Sequence, residues 1–406
     1  MMPTLFDVPI LGWPIRGYGF MLMLGFLSAI WMAAKRAQRV KADPDIILNV
    51  GFIALLGGVV GARLFYVVHY WESSFARQPN PFLAALDITS GGLEFYGGFL
   101  FVLVLTLGYL KFKGVSVRMY TDIMIPSLVF GLAFGRMGCF LNGCCWGAVC
   151  ADEEGHKAIP WAMTFPYGGP AFANQWFKRQ LTVPADLLYV GPMGVAHPIS
   201  RDALNMSDED LRGPGNTYER AKKALDKAER DGRPSAEIAK LQKGADGAQK
   251  EFLTHQARFA DLQKATGVFG SDYGSGRKPT VSQLRDYATA NRTLPVQPAQ
   301  LYGVINALLI SAVLSTLFRR RKRHGVLTPI MFIMYSLSRS GLELVRVDNP
   351  TDQGFMTISQ LISIFTVVVA VIWLLIVYRM PMRSPLAIPY VYESDSTPAD
   401  GKPAPA

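Results

Sequence analysis

The sequence predicts an all-α polytopic membrane protein with seven transmembrane helices and an inserted helical segment outside the membrane. Half of its 406 residues are hydrophobic and only 18% are charged, whereas soluble domains carry about a quarter charged residues. The apolar residues form runs long enough for a helix to cross a bilayer, which takes roughly 20 residues. Basic clusters follow every second run. These runs exclude a soluble enzyme, an intrinsically disordered chain and a secreted disulfide scaffold.

Seven apolar runs are the predicted spans. They lie near residues 17–34, 46–70, 93–110, 122–141, 298–318, 326–345 and 357–378. The chain has no convincing internal repeat, and an odd number of spans argues against the inverted-repeat design of many transporters.

The placement of Lys and Arg predicts the orientation. Four basic clusters follow the first, third, fifth and seventh spans: Lys35, Arg36, Arg39 and Lys41; Lys111, Lys113 and Arg118; Arg319 to Arg323; Arg379 and Arg383. Because Lys and Arg in short loops stay cytoplasmic, the amino terminus is expected outside and the carboxyl terminus inside. The net charge of +10 therefore reflects membrane topology, and no nucleic-acid partner is expected.

Composition divides the chain into four predicted segments. They are residues 1–169 with spans one to four, an extracytoplasmic insert at 170–292, spans five to seven at 293–383, and a disordered cytoplasmic tail at 384–406. Within the insert, Thr217–Arg230 and Ser235–Ala265 are rich in Ala, Lys, Glu and Gln, and Gly232 and Pro234 separate them. This pattern predicts a helical hairpin, interpreted as a solvated spacer or a partner surface rather than a catalytic element.

Charged residues within predicted spans are candidates for function, because they are costly unless paired or facing water. Arg63 lies in the second span, Glu94 at the start of the third and Arg136 near the end of the fourth. The sixth carries Arg339, Glu343 and Arg346, whose spacings of four and three place them on one helix face, where Glu343 can pair with both arginines. A purely structural ion pair is an equally good interpretation of Glu343 and Arg346.

Arg136 and Arg339 favour a ligand. Two guanidinium groups at membrane depth with one nearby acid predict a net positive cavity, and arginine binds phosphate bidentately. An anionic lipid headgroup is therefore preferred over a structural role.

Eight glycines near these residues, weak evidence singly, permit either close helix packing or a backbone turn at a ligand: Gly91, Gly92, Gly97, Gly98, Gly135, Gly138, Gly143 and Gly147.

The four cysteines, Cys139, Cys144, Cys145 and Cys150, fall within 12 residues. One or two disulfides are the preferred expectation, because the segment is predicted to face an oxidising compartment. A four-thiolate metal site lacks the usual ligand spacing, and a catalytic thiol is the third alternative.

Five segments in order resemble one known family, the bacterial phosphatidylglycerol–prolipoprotein diacylglyceryl transferases. The longest match is the segment Gly135-Arg136-x-Gly-x-Phe-x-Asn142-Gly143-x-x-Trp146-Gly147. The others are Arg16-Gly17-Tyr18-Gly19, Gly91-Gly92-Leu93-Glu94-Phe95-Tyr96-Gly97-Gly98, Pro298-Ala299-Gln300-Leu301-Tyr302 and Arg339-x-x-x-Glu343-x-x-Arg346. The resemblance covers nearly all of the chain except residues 170–292 and the tail.

The resemblance implies an inner-membrane enzyme that moves diacylglyceryl from phosphatidylglycerol to the lipobox cysteine of prolipoprotein signal peptides. A thioether forms, glycerol-1-phosphate leaves, and neither a metal nor a soluble cofactor is required. By the same resemblance Arg136 holds the headgroup and Arg339 assists at the phosphate ester. The implied catalytic residues are Tyr18, Tyr96, Arg339 and Glu343, and the implied substrate-binding residues are Gly97, Gly98, Arg136, Asn142, Gly147 and Arg346.

Several positions depart from the family pattern. Tyr96 stands where the family has histidine, and a phenol of pKa near 10 is a poor acceptor for the proton of a thiol of pKa about 8.5. Glu94 is the alternative base. Gln297 replaces a histidine and Gly303 replaces an acid, while Cys139 and Cys144 replace polar residues.

Three other functions compete with the transferase. They are a family member with another lipid or thiol, an inactive homologue that binds anionic lipid or lipoprotein precursors, and a small-molecule transporter. Transfer of labelled lipid to a lipobox peptide separates the first hypothesis from the others.

Overall fold

The structure, a computed structural model, describes residues 4–7, 14–76, 80–87, 91–190, 195–260, 262, 279–343, 345, 357–387 and 389. It is mostly helical, as predicted. Two short antiparallel hairpins, which the sequence did not predict, pair β1 (Thr4–Asp7) with β2 (Pro14–Arg16) and β3 (Leu188–Val190) with β4 (Ala196–Pro198).

The helices follow one another along the chain with short connections in the membrane part. In order they are α1 (Gly17–Arg39), α2 (Pro44–His69), α3 (Pro81–Leu86), α4 (Phe95–Phe112), α5 (Val117–Asn142), α6 (Pro170–Phe177), α7 (Arg201–Leu204), α8 (Asp208–Arg230), α9 (Ser235–Arg258), α10 (Val281–Ala290), α11 (Ala299–Arg320), α12 (Leu327–Glu343) and α13 (Ile358–Arg379). A π-helical turn at Trp71–Phe75 follows α2.

Six of the described helices are long and apolar enough to cross a membrane: α1, α2, α4, α5, α11 and α13. The fold is therefore that of a polytopic membrane protein. The predicted sixth span corresponds to α12, whose 17 described residues fall just short of that length. Seven spans and the orientation stay predictions.

The chain divides into two compact units. One unit is Gly143–Pro298, and the helices before and after it form the other. The segment boundaries drawn from composition stay predictions, and most of the predicted tail after Ser384 lies outside the described residues.

Helix α5 is the centre of the helical unit, where it packs against α1 and α11. The backbones of α1 and α5 touch at two glycines: a Cβ atom on Gly25 would lie 2.9 Å from the carbonyl oxygen of Gly131, and one on Gly131 would lie 3.1 Å from that of Gly25. Fully buried Ile123 and Leu314 fill the α5–α11 side of the core. Small residues thus bring α1 and α5 into close contact, as in other membrane bundles, and larger apolar side chains fill the contact of α5 with α11.

Helices α2 and α4 form a second close pair in this unit. A Cβ atom on Gly98 would lie 2.7 Å from the carbonyl oxygen of Gly58, and one on Gly97 would overlap the Phe65 side chain. Helix packing therefore explains both glycines, which the family resemblance assigns to substrate binding.

Asp122 joins α5 to the start of α12. Its buried carboxylate accepts the N–H groups of Gly325 and Leu327 at 2.7 and 3.0 Å, and it pairs with Arg321 at 3.1 Å. An acid at a helix amino terminus satisfies free N–H groups and complements the helix dipole. The sequence did not single out this acid, which holds the α11–α12 connection in place.

The other unit has its own apolar core. Leu187, Ile199 and Leu284 are among its fully buried residues. The predicted hairpin is present: α8 ends at Arg230 and α9 begins at Ser235. Helix α8 starts nine residues earlier than predicted, because Ser207 and Asp210 form a capping box, and α9 ends at Arg258 rather than Ala265.

Candidate active site

Of the three candidate arginines that the structure describes, Arg136 is the one most available to a ligand, because Arg63 and Arg339 have partners. Arg136 lies on α5, half-buried, and its aliphatic part crosses Gly303 on α11, where a Cβ atom would lie 3.2 Å from Arg136 Cδ. Among the described residues its guanidinium forms no hydrogen bond and no ion pair. An uncompensated arginine in a membrane helix is a candidate anion site. Gly303, noted above as a lost acid, gives this side chain its room.

Tyr18 lies on the other side of α5. It is exposed in the first turn of α1, and its Cδ2 atom lies 3.0 Å from the place of a Cβ on Gly138. Gly138 and Arg136 are two residues apart and so point in different directions from the helix. The described packing therefore places Tyr18 and Arg136 near the same turn of α5 but against different neighbours.

Arg339 and Glu343 form an ion pair on α12, which confirms the pairing predicted from their spacing. The Glu343 side chain is almost fully buried, with 1% exposed, and that of Arg339 is 19% exposed. Beside them Asn306 donates to the Ser338 hydroxyl at 2.9 Å and joins α11 to α12. Glu343 offsets the charge of Arg339, whose remaining N–H groups are still donors. Arg346 lies outside the described residues.

Tyr96 lies in the first turn of α4 and is 74% exposed. Its ring meets the Phe95 ring edge-on. In the described part of the chain, no hydrogen bond or cation–π contact joins it to Arg136 or Arg339, and α4 packs mainly on α2.

Glu94 has a partner that sequence reasoning missed. Its Oε1 atom lies 2.8 Å from Nδ1 of His69, the last residue of α2. Both side chains reach solvent, with 62% of His69 and 31% of Glu94 exposed. The sequence did contain a signal for this contact: a histidine ends the second span and an acid begins the third. Consecutive antiparallel spans bring these two ends together.

Arg63, a sequence candidate, is buried in α2 and donates to backbone carbonyl groups. This places it in a structural network rather than at an open cavity.

The remaining candidates, Asn142 and Gly147, belong to different units. Asn142 is the last residue of α5 and is exposed. Gly147 belongs to the other unit, where its N–H donates to the carbonyl of Gln297 at 2.9 Å.

All four cysteines are among the described residues and none forms a disulfide, so the preferred expectation was wrong.

Comparison with known proteins identifies the family. The family model for prolipoprotein diacylglyceryl transferase matches residues 3–222 and 261–377. The chain belongs to this family. The match reaches further into the insert than the resemblance did, since only 223–260, with the end of α8 and all of α9, separates its two parts.

Curated relatives agree with this assignment. A phosphatidylglycerol–prolipoprotein diacylglyceryl transferase of Rhodopirellula baltica is 28% identical over 409 residues, which cover 91% of this chain and 73% of the relative. Transferases of the same name from Aliivibrio salmonicida and Vibrio vulnificus are 37% and 36% identical. Those alignments cover 41% and 38% of this chain, and only about half of each relative (56% and 55%). The diacylglyceryl transferase family is thus matched by the helices that carry Tyr18, Tyr96, Arg136 and Arg339.

Proposed function

We propose that this chain is a multi-pass enzyme of the bacterial inner membrane that transfers diacylglyceryl from phosphatidylglycerol to the lipobox cysteine of prolipoproteins. Its products are a thioether-linked lipoprotein precursor and glycerol-1-phosphate. The family match supports the reaction class. The observation that carries the proposal for this site is Arg136, a half-buried guanidinium with no partner among the described residues.

The chemistry explains why a cation is needed. The thiol loses its proton to a base, and sulfur attacks the glycerol carbon that carries the phosphate ester. The carbon–oxygen bond breaks, and glycerol-1-phosphate leaves with one more negative charge than the bound diester had. A fixed guanidinium lowers the barrier because it interacts more strongly with the departing phosphate than with the diester.

Each site residue has a proposed role. Arg136 binds the headgroup phosphate, and Arg339, oriented by Glu343, donates to the ester oxygen that becomes the leaving group. Tyr18 and Tyr96 are hydrogen-bond donors near the phosphate. The proposed substrate contacts are completed by Gly97, Gly98, Asn142, Gly147 and Arg346.

Glu94 is the proposed proton acceptor. By its reference pKa of about 10 a phenol is protonated at neutral pH and cannot accept a proton, whereas a carboxylate is ionised and can. The 2.8 Å contact with His69 supports the choice of Glu94 over Tyr96.

Topology follows from the same function. We place the amino terminus outside and the carboxyl terminus inside, with seven spans, so that Arg136 reaches the outer leaflet where signal peptides emerge. The 170–292 insert is then extracytoplasmic, a spacer or partner surface, and the 384–406 tail is cytoplasmic.

Transfer to a lipobox peptide tests the proposal. The purified chain in phosphatidylglycerol vesicles is given labelled lipid, and a strain depleted of its own transferase is complemented in parallel. Wild type should form labelled thioether, and Arg136→Ala should lose at least about 99% of the rate, since an electrostatic contact of this kind contributes a few kcal/mol. Arg136→Lys keeps the charge without the planar fork and should fall between them.

Two outcomes would reject the enzyme. In the first, wild type is well expressed and inserted in the membrane, and its binding of phosphatidylglycerol depends on Arg136, but it transfers no lipid. This result would indicate an inactive lipid-binding homologue. Solute flux in proteoliposomes without transfer would indicate a transporter.

A further inference from the structure

Arg63 makes an unusual set of hydrogen bonds. The residue is 6% exposed within α2. Its Nε donates to Ala85 O at 2.8 Å, Nη2 to Ala84 O at 2.8 Å, and Nη1 to Gly91 O and Gly92 O at 2.6 and 3.1 Å. One buried side chain therefore holds two separate stretches of the α2–α4 connection.

The partners of Arg63 are all neutral. In the part of the chain that the structure describes, no carboxylate pairs with it. Ala84 and Ala85 lie in the last turn of α3, whose terminal carbonyl groups lack partners within the helix. The N–H of Asp87 also donates to Ala84 O, at 3.3 Å, so the guanidinium is a second donor there and supplies a donor to Ala85 O. Its positive charge complements the negative end of the helix dipole. Burying a charge is costly, and here the four hydrogen bonds to carbonyl groups offset that cost.

The residues after Gly92 are held by neighbouring turns of α2. Glu94 N–H donates to Ala62 O at 3.0 Å, and the Glu94 carboxylate meets His69. Gly92, at φ +74°, lies so close to the Tyr66 ring that a side chain there would overlap it. The segment from Gly91 to Glu94 is therefore pinned along one helix and leads directly into the turn that carries Tyr96.

The body of α4 does not depend on Arg63. It packs on α2 further along the chain from Glu94, where Gly98 meets Gly58 and Phe101 meets Gly61. Loss of the guanidinium should therefore leave the helix pair assembled and release only the residues that precede α4.

We propose that Arg63 is a positioning residue of the transferase, which holds Gly91–Glu94 so that Tyr96 and Glu94 meet the reacting groups. The inference rests on the proposed function. Arg63 touches neither substrate, so its substitution lowers turnover through Tyr96 and Glu94 and leaves the phosphatidylglycerol contact at Arg136 intact.

The kinetic test uses Arg63→Gln, with Arg36→Gln as the matched control. Arg36 is equally buried, at 8% exposed, but it donates to hydroxyl groups of Ser127 and Ser315 that join α1, α5 and α11. Both variants should lose thermal stability. Only Arg63→Gln should lower kcat, by about tenfold or more with little change in KM for phosphatidylglycerol, as expected when alignment is lost and binding is kept.

A double variant separates positioning from general damage. If Arg63 acts through Tyr96, Arg63→Gln should cost much less in a Tyr96→Phe background than in wild type, because residues acting as a unit are non-additive. Equal losses in both backgrounds would overturn the proposal, as would unchanged kcat in Arg63→Gln. Arg63→Lys should be more active than Arg63→Gln, because an ammonium group can donate to some of the four carbonyl groups. It should be less active than wild type, because it lacks the planar set of donors of a guanidinium.

Amide hydrogen exchange gives a readout that does not need activity. Arg63→Gln should speed exchange at residues 91–96 and leave residues 99–110 of α4 unchanged, and Arg36→Gln should do neither. Uniform loss of protection across α4 would show that Arg63 merely stabilises the fold. If wild type forms no product but Arg63→Gln still speeds exchange only at residues 91–96, the transferase function is refuted. Arg63 would then keep its structural role of holding this segment.

Discussion

The side chain of Arg136 lies across Gly303, with Cδ 3.2 Å and Cγ 3.3 Å from the place where a Cβ atom would stand. Two helices, α5 and α11, therefore determine where this cation points. The glycine that departs from the family pattern and the arginine that matches it are parts of one arrangement.

Gly303→Ala should displace Arg136 and raise KM for phosphatidylglycerol about threefold to tenfold, because contacts of this length require the neighbour to move. Gly108→Ala is the control, since nothing lies within 4 Å of a Cβ at that position on α4. Steady-state kinetics with varied lipid fraction measure both. An unchanged KM in Gly303→Ala would show that Arg136 does not need its present position.

Glu343→Gln should destabilise the protein by about 3 kcal/mol, because removing one partner of a buried ion pair leaves the other charge unpaired. The double variant Arg339→Gln/Glu343→Gln should regain most of that stability but no transfer activity. Thermal unfolding in detergent and labelled transfer give the two readouts. Recovery of activity in the double variant would contradict a catalytic role for Arg339.

Glu94→Gln should lower kcat by about 100-fold, the usual effect of removing a general base, and His69→Gln by several-fold because the carboxylate loses its partner. Glu72→Gln, an exposed acid in the same connection, is the control and should behave like wild type. Full activity of Glu94→Gln would remove Glu94 from the mechanism.

His324 makes stability depend on pH. It lies in the α11–α12 connection, where Nδ1 accepts the N–H of Ser384 at 3.4 Å. Burial, and then the charges of Arg321, Arg118 and Arg383, hold the pKa of His324 below its ordinary value. The unfolded chain therefore takes up a proton at higher pH than the folded chain does, so this contribution is complete above about pH 6.5 and is lost as the pH falls through the folded pKa.

Thermal unfolding at about pH 8 and about pH 5.5 measures this contribution. Wild type should lose more stability on acidification than His324→Gln, which has no imidazole to protonate. Identical pH dependence in wild type and His324→Gln would refute the assignment.

Much of the fold could be predicted because apolar run length is a local property of the chain. The seven predicted spans correspond to α1, α2, α4, α5, α11, α12 and α13, and six of them are long and apolar enough to cross a membrane. The pairing of Arg339 with Glu343 was predictable for the same reason, since a spacing of four residues is enough to bring two side chains together on a helix.

Contacts between distant segments were not predictable from pattern. Nothing in the sequence says that Arg63 donates to Ala84 and Gly91, or that His69 meets Glu94. Asp122 escaped notice because its partners, Gly325 and Leu327, are some 200 residues away. No disulfide joins the four cysteines, although they fall within 12 residues of one another.

The sequence by itself determined the membrane class, the positions of the long apolar helices and the motifs that identify the family, because hydrophobic length and residue spacing are properties of a single helix or a short segment. Only the tertiary structure decided which charges are compensated. Glu343 offsets Arg339, carbonyl groups surround Arg63, and Arg136 keeps a guanidinium with no partner among the described residues. The physical reason is that a charge in a low-dielectric bundle is governed by whichever groups helix packing brings within a few ångströms, and that packing joins residues far apart in the chain.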